Sequence, residues 1–266
     1  GGTMTLDCDP RKNAVIVAAH PDDEILWFSS VMRQAKQVII LYRDFWADPD
    51  IGEKRAEAIR NIPHPDVVWM EMTEAGSFGC ADWSSPITTD SGLKFTSIAA
   101  LRDIKSRVVR TLPGSAPAAT LPIWQAYEAN FRESVERLRP LLRGDMNVFT
   151  HNPWGEYGHE DHVQCFRALD VLRKEIGFKL WVSNYCSDRS LPLAQRYFQR
   201  QPAAFVRLPT DIPYARAVAQ AYMNADCWTW VDDWSWFEDE CFMEAPLGPS
   251  TLDQQRHLLP LNYFTV

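Results

Sequence analysis

The sequence predicts an α/β fold, a mostly parallel sheet flanked by helices, and three observations carry that reading. Short β-branched apolar runs alternate with helical patterns as far as about residue 183, as right-handed βαβ connections require. Two of those runs lead into clusters of histidine and carboxylate placed just ahead of a helix. In an open sheet such strand-to-helix turns lie at the carboxyl edge, where ligands bind. The third observation is size: 266 residues at 46% hydrophobic suit one large domain with a sizeable core.

Ala14–Ala18 reads as a buried strand, and Ile25-Leu26-Trp27-Phe28 as the first turns of a buried helix. Gln37–Tyr42 is the second strand, and the loop after it carries Arg43, Phe45 and Trp46. Those aromatics shape a substrate pocket or form a lid over the core; both readings stand. Glu53–Ile59 reads as a helix, on which Arg55 either reaches a substrate or lies on a solvated face. Val67–Met72 is the third strand. Residues 73–97 are a long polar excursion on the carboxyl side with a turn at Asp90-Ser91-Gly92, a candidate substrate wall. A helix from about Ala99 to Leu112, the breaker-rich Pro113-Gly114-Ser115-Ala116-Pro117 and an amphipathic helix from Ile123 to Leu142 follow. Asn147–Thr150 and Lys179–Ser183 are strands, with helical patterns from Val163 and over Pro213–Ala225. Between Cys227 and Phe237 lie four tryptophans with acidic residues among them. The reading adopted is a half-buried edge strand or closing flap; the alternative is a glycan-binding wall.

The chemistry lies in two stretches. Ala19-His20-Pro21-Asp22-Asp23-Glu24 delivers one imidazole and two carboxylates to a single turn, a donor set suited to a borderline metal such as zinc. The bland alternative is an aspartate N-cap beside a loop histidine. Tyr157-Gly158-His159-Glu160-Asp161-His162 supplies two further histidines at a helix start. A catalytic zinc needs three protein ligands and an open position. His20, one of the two Asp and one of the two His make that set, which leaves one carboxylate and one imidazole as base and acid. His151, at a strand end, is a rival ligand or substrate contact, with a supporting or ordinary polar role preferred. His64 and His257 receive no role.

These two motifs, in this order and this strand–helix context, resemble the zinc-dependent N-deacetylases called LmbE-like or PIG-L-type. The resemblance covers roughly the first 180 residues. It implies a Rossmann-like fold and removal of an N-acetyl group from an N-acetylglucosamine conjugate. The implied metal ligands are His20, Asp23 and His162 for one Zn²⁺ per chain, which other divalent metals can replace. Asp22 is implied as general base, His159 as second histidine and Tyr157 as a residue near the oxyanion. Asp161 is a candidate for holding His159 in its tautomer.

A formal net charge of −8 argues against nucleic acid or an anionic membrane surface as a main partner. No apolar run approaches a membrane span and no signal peptide is visible; Gly1-Gly2-Thr3 reads as an expression remnant. The six cysteines lack C-x-x-C spacing and read as buried thiols of a cytoplasmic protein. The expectation is therefore one deacetylase domain over residues 1–266. Residues 1–12 would be an extension with a tag remnant, and about 185–266 a family-variable part. The competing readings are a metal-dependent amidase on a non-sugar N-acyl substrate and a non-catalytic glycan-binding relative. The presence of Asp22 and His159 beside the ligand candidates argues against the latter.

Overall fold

The structure, a computed structural model, describes residues 9–45, 48–110, 121–197, 200–201, 204–249 and 260–266. Its centre is a seven-stranded sheet. In chain order the strands are β1 (Ala14–Ala18), β2 (Gln37–Tyr42), β3 (Val67–Met72), β4 (Asn147–Thr150), β5 (Lys179–Ser183), β6 (Phe205–Pro209) and β7 (Asp239–Glu244). Across the sheet they run β6-β7-β5-β4-β1-β2-β3. The five strands from β3 to β5 are parallel, and β7 runs antiparallel to both β5 and β6.

Those five parallel strands are the five that the apolar runs predict, with the same bounds. Their legibility has a physical cause. β1 is buried along its whole length. Ala14, Ile16 and Ala18 pack into one core with Ile25, Phe28, Val218 and Tyr222, while Val15 and Val17 pack into the other with Leu138, Leu169 and Leu172. A strand covered on both faces has no polar side to show, so it appears as a continuous apolar run. The helices are α1 (Asp23–Leu26), α2 (Gly52–Asn61), α3 (Ser97–Arg110), α4 (Ile123–Leu138), α5 (Glu160–Ile176), α6 (Leu191–Ala194) and α7 (Ile212–Asn224). One face of the sheet carries α1, α2 and α7; the other carries α4 and α5.

After β1 the chain moves to β2 on one side, whereas after β4 it moves to β5 on the other. The carboxyl ends of β1 and β4 therefore flank a topological switch point, where a crevice opens in sheets of this kind. Both histidine motifs begin there.

Three expectations need correction. The helix after the first motif is a single turn, Asp23–Leu26. Ser29 and Ser30 divert the chain by bonding to the buried Glu240 carboxylate of β7, at 2.8 Å from Ser29 Oγ and 2.7 and 2.6 Å from Ser30 N and Oγ. The tryptophan-rich segment is no strand: residues 227–238 form turns and irregular chain, folding as a flap with Trp230 and Trp234 against Trp27, and Trp230 also against Tyr157. The edge strand on that side is β6, reached through β7, neither of which the sequence reading anticipated. Arg55 lies on no solvated face; it is 2% exposed and donates from Nη1 to the Arg43 carbonyl at 2.8 Å.

The turn at Asp90–Ser91 is found, closing a two-residue ladder between Thr88–Thr89 and Gly92–Leu93. Cys8, Trp46, the 113–117 linker and His257 lie outside the described residues. Cys80, Cys165, Cys186, Cys227 and Cys241 are buried free thiols. Among the described residues no helix is long and apolar enough to cross a membrane.

Candidate metal centre

The first motif leaves β1 and turns at Asp22, whose φ of 95° is left-handed, a costly conformation for a residue with a side chain. Its N–H is tied to Glu24 Oε2 at 2.9 Å, and Tyr222 holds the other oxygen of Glu24. The consequence is directional: the two adjacent carboxylates diverge. Asp23 points back, so that its Oδ2 accepts from the His20 backbone N–H at 2.8 Å and lies 3.0 Å from His20 Nδ1. Asp22 instead receives the Thr229 hydroxyl at 3.1 Å.

The second motif follows β4 through a turn with Gly155 at φ 72° and Gly158 at φ 96°. A Cβ on Gly155 would sit 2.6 Å from the His159 carbonyl oxygen, so that position requires glycine. His159 then N-caps α5, its Nδ1 accepting from Asp161 N at 3.0 Å. One turn on, His162 projects to the first motif, with Nε2 at 3.0 Å from Asp23 Oδ2 and 3.3 Å from His20 Nδ1.

His20 Nδ1, Asp23 Oδ2 and His162 Nε2 thus form a triangle with edges of 3.0, 3.0 and 3.3 Å. A tetrahedral zinc with bonds of about 2.0–2.1 Å needs donor–donor edges of about 3.3–3.4 Å. The triangle therefore fits one face of such a site with a few tenths of an ångström of adjustment. The far nitrogen of each imidazole already has an anionic acceptor. His162 Nδ1 lies 2.9 Å from Glu156 Oε2, and His20 Nε2 lies 2.8 Å from Glu74 Oε1 and 2.9 Å from Asp161 Oδ2. Such partners fix the tautomer that frees the near nitrogen for a cation. Trp27 Nε1 holds the other oxygen of Asp23 at 2.9 Å.

The electrostatics agree. Burial works against a charged His20 ring, but Glu74, Asp161 and Asp23 outweigh it and raise its pKa well above 6.5. Burial likewise opposes charge on His162, and Asp23 and Glu156 push that ring up to about 9. Asp23 lies well below the usual carboxylate range, burial being outweighed by His162 and His20. A field that draws protons onto two facing imidazoles also suits a dication that displaces them. Asp22 moves the opposite way, raised by burial and then by the Asp23 charge. His159 is depressed well below 6.5 by burial and by His20 and His162. It is neutral, and its Nδ1 is an acceptor, so its Nε2 carries the hydrogen.

Two other clusters fail as metal sites. His151 accepts from Ala19 N at Nε2 (2.9 Å), and its Nδ1 lies 3.0 Å from Glu156 Oε2, so both its nitrogens are used. It stacks on His162 at 3.8 Å between ring centroids and supports that ring without ligating. Glu74, Asp161, His20 and His159 are also close together. There, however, His20 Nε2 faces the Glu74 and Asp161 carboxylates at 2.8 and 2.9 Å and His159 Nδ1 already accepts from Asp161 N at 3.0 Å, so neither ring has a free lone pair on that side. Asp161 corrects an expectation. Its carboxylate serves His20 and Ser77 Oγ (2.7 Å), and it is its backbone N–H that sets the His159 tautomer.

The chain resembles known structures in its fold. The pseudoaglycone deacetylase Dbv21 superposes with a TM-score of 0.50 at 11% identity, over 90% of this chain and 99% of that one. This chain shares that deacetylase's fold. The zinc-inhibited form of teicoplanin deacetylase Orf2 gives 0.49 at 12% identity, over 87% and 97%. A conserved protein of Thermus thermophilus gives 0.43 at 17%, over 92% and 99%. No protein-family model matches the chain, and no curated protein matches it.

The seven residues singled out in the two motifs all converge. Tyr157 places its ring 5.4 Å from that of His162 and 4.7 Å from that of Trp230. Sequence reasoning missed Glu156, Glu74, Trp27 and Thr229. Glu156 had a signal, a carboxylate between two turn glycines beside the second motif; Trp27 and Thr229 lie in stretches read for packing, and Glu74 in a loop without local pattern.

Proposed function

We propose that this chain is a metal-dependent hydrolase that removes the N-acetyl group from an amino sugar conjugate, releasing acetate and a free amine. The observation that carries the reading is the His20–Asp23–His162 triangle with Asp22 and His159 beside it but outside it. A pure metal-binding site needs neither of those two groups. His20, Asp23 and His162 would hold the ion. A zinc ion there supplies Lewis acidity toward water and an amide carbonyl.

The remaining work falls to the protein. Asp22 takes a proton from the attacking water, and burial in a negative surrounding raises its basicity for that task. His159, neutral and protonated at Nε2, donates a hydrogen bond to the carbonyl oxygen as it gains charge. Tyr157, at the same rim, offers its hydroxyl to that oxygen. As the C–N bond breaks, Asp22 returns its proton to the leaving nitrogen, so atoms and charge balance over the cycle. The fold shared with a deacetylase agrees with this reading, as does the two-motif resemblance.

The test is a panel of N-acetylated amino sugars set against simple N-acyl amides, read by free amine and acetate. Amine release from the sugars, abolished by a chelator and restored by Zn²⁺ or Co²⁺, is expected. Release from simple amides alone would remove the sugar part of the reading. Full activity after demetallation would remove the metal part.

A further inference from the structure

We infer that Thr229, on the tryptophan-rich flap, is a positioning residue that aims the Asp22 carboxylate at the reacting water. The inference rests on the proposed role of Asp22. Thr229 Oγ1 donates to Asp22 Oδ2 at 3.1 Å across 207 residues of sequence. Asp22 is 4% exposed and sits on a left-handed backbone. That turn separates its side chain from the Asp23 direction but does not by itself fix the carboxylate torsion, a broad and soft one for aspartate. The hydroxyl is the described side-chain hydrogen bond to this carboxylate.

The flap is built to hold that hydroxyl still. On one side of Thr229, Trp228 contacts Tyr222 and Trp236, with ring centroids 6.5 Å apart in each case. On the other side, Trp230 lies 4.7 Å from Tyr157 and 5.4 Å from Trp27. Further along, Trp236 Nε1 donates to the Ile25 carbonyl of α1 at 2.9 Å. The flap is thus pinned to the same turn that carries Asp22 and Asp23. A β-branched residue between two anchored tryptophans has little freedom at χ1. The flap's four tryptophans thereby acquire a purpose beyond covering the core: they set the position of one hydroxyl.

Thr229→Val keeps the shape and removes the donor; Thr229→Ser keeps the donor. With an N-acetyl amino sugar that the wild type deacetylates, Thr229→Val should lower kcat about 10–100-fold, the scale of a hydrogen bond to a charged group. KM should stay within about twofold, because the lost bond acts on the base and leaves ground-state binding alone. Thr229→Ser should restore most of kcat. In an Asp22→Asn background Thr229→Val should cost little more, since the group it positions is no longer a base. A crystal structure of metal-free Thr229→Val should show the Asp22 carboxylate rotated or in several orientations. Unchanged kcat in Thr229→Val, equal damage from Ser and Val, or full additivity with Asp22→Asn would each overturn the inference. A wild type inactive on every N-acetyl amino sugar would instead remove the functional reading on which it rests.

Discussion

Glu156 is the most informative residue to perturb, because one of its oxygens supports two imidazoles at once. Its Oε2 lies 2.9 Å from His162 Nδ1 and 3.0 Å from His151 Nδ1, while Oε1 accepts from Asn152 N at 3.1 Å. The side chain is fully buried, so water cannot replace a lost bond. In Glu156→Gln one end of the side chain becomes a donor. If the amide NH₂ faces the histidines, both lose their acceptor; if it faces Asn152, two N–H groups confront each other. The first outcome weakens His162 as a ligand, and loss of such an outer carboxylate typically costs about 10–100-fold in metal affinity, or about 1.4–2.7 kcal/mol. The second leaves a buried donor unpaired, at about 1–3 kcal/mol of stability. Competition titration against a chelator of known affinity, with melting of the metal-free protein measured alongside, separates the two. Weaker zinc binding, a lower melting temperature or both is expected. A Glu156→Gln protein that matches wild type in both measurements would refute the claim that this carboxylate organises the ligand shell.

Two further outcomes follow from the same geometry. Tyr157→Phe should lower kcat while leaving metal content intact, since the ring packing on His162 and Trp230 is retained; an unchanged kcat would reduce Tyr157 to a packing residue. Cys165 is 2% exposed and burial pushes its thiol up to about 12, so at pH 8 a disulfide reagent should label it only after unfolding. Rapid labelling of Cys165 in the native protein would contradict the described packing of α5.

How much the sequence disclosed depended on how local the cause was. The inner parallel strands were legible because burial on both faces writes itself into consecutive residues, as in Ala14–Ala18. The candidate donors were legible because each motif is a contiguous segment at a strand end; the residues alone narrowed them to His20 with one of two Asp and one of two His, and the family resemblance pointed to Asp23 and His162. The supporting groups were not. Glu74 reaches His20 from a loop after β3, and Glu240 reaches Ser29 from a strand 211 residues away; nothing near either residue announces such a partner. The tryptophan-rich segment misled in a different way. Tryptophans at 228, 230, 234 and 236 fall on even positions, the period of a strand face, yet the chain turns at Asp232–Asp233, Trp230 and Trp234 pack on Trp27, and Trp228 packs on Tyr222 and Trp236. Alternation records which side chains are buried and leaves open whether a straight backbone buries them.

The central claim is that adjacent carboxylates do different work: Asp23 holds the metal and Asp22 does not. Metal content per chain, measured side by side on Asp22→Asn and Asp23→Asn after equilibration at limiting zinc, tests it most directly. The account expects Asp22→Asn to bind about one zinc, as a mononuclear site should, while losing about 10²–10⁴-fold in rate. It expects Asp23→Asn to bind well below that, with activity partly recovered at high zinc. An empty Asp22→Asn beside a full Asp23→Asn would contradict it.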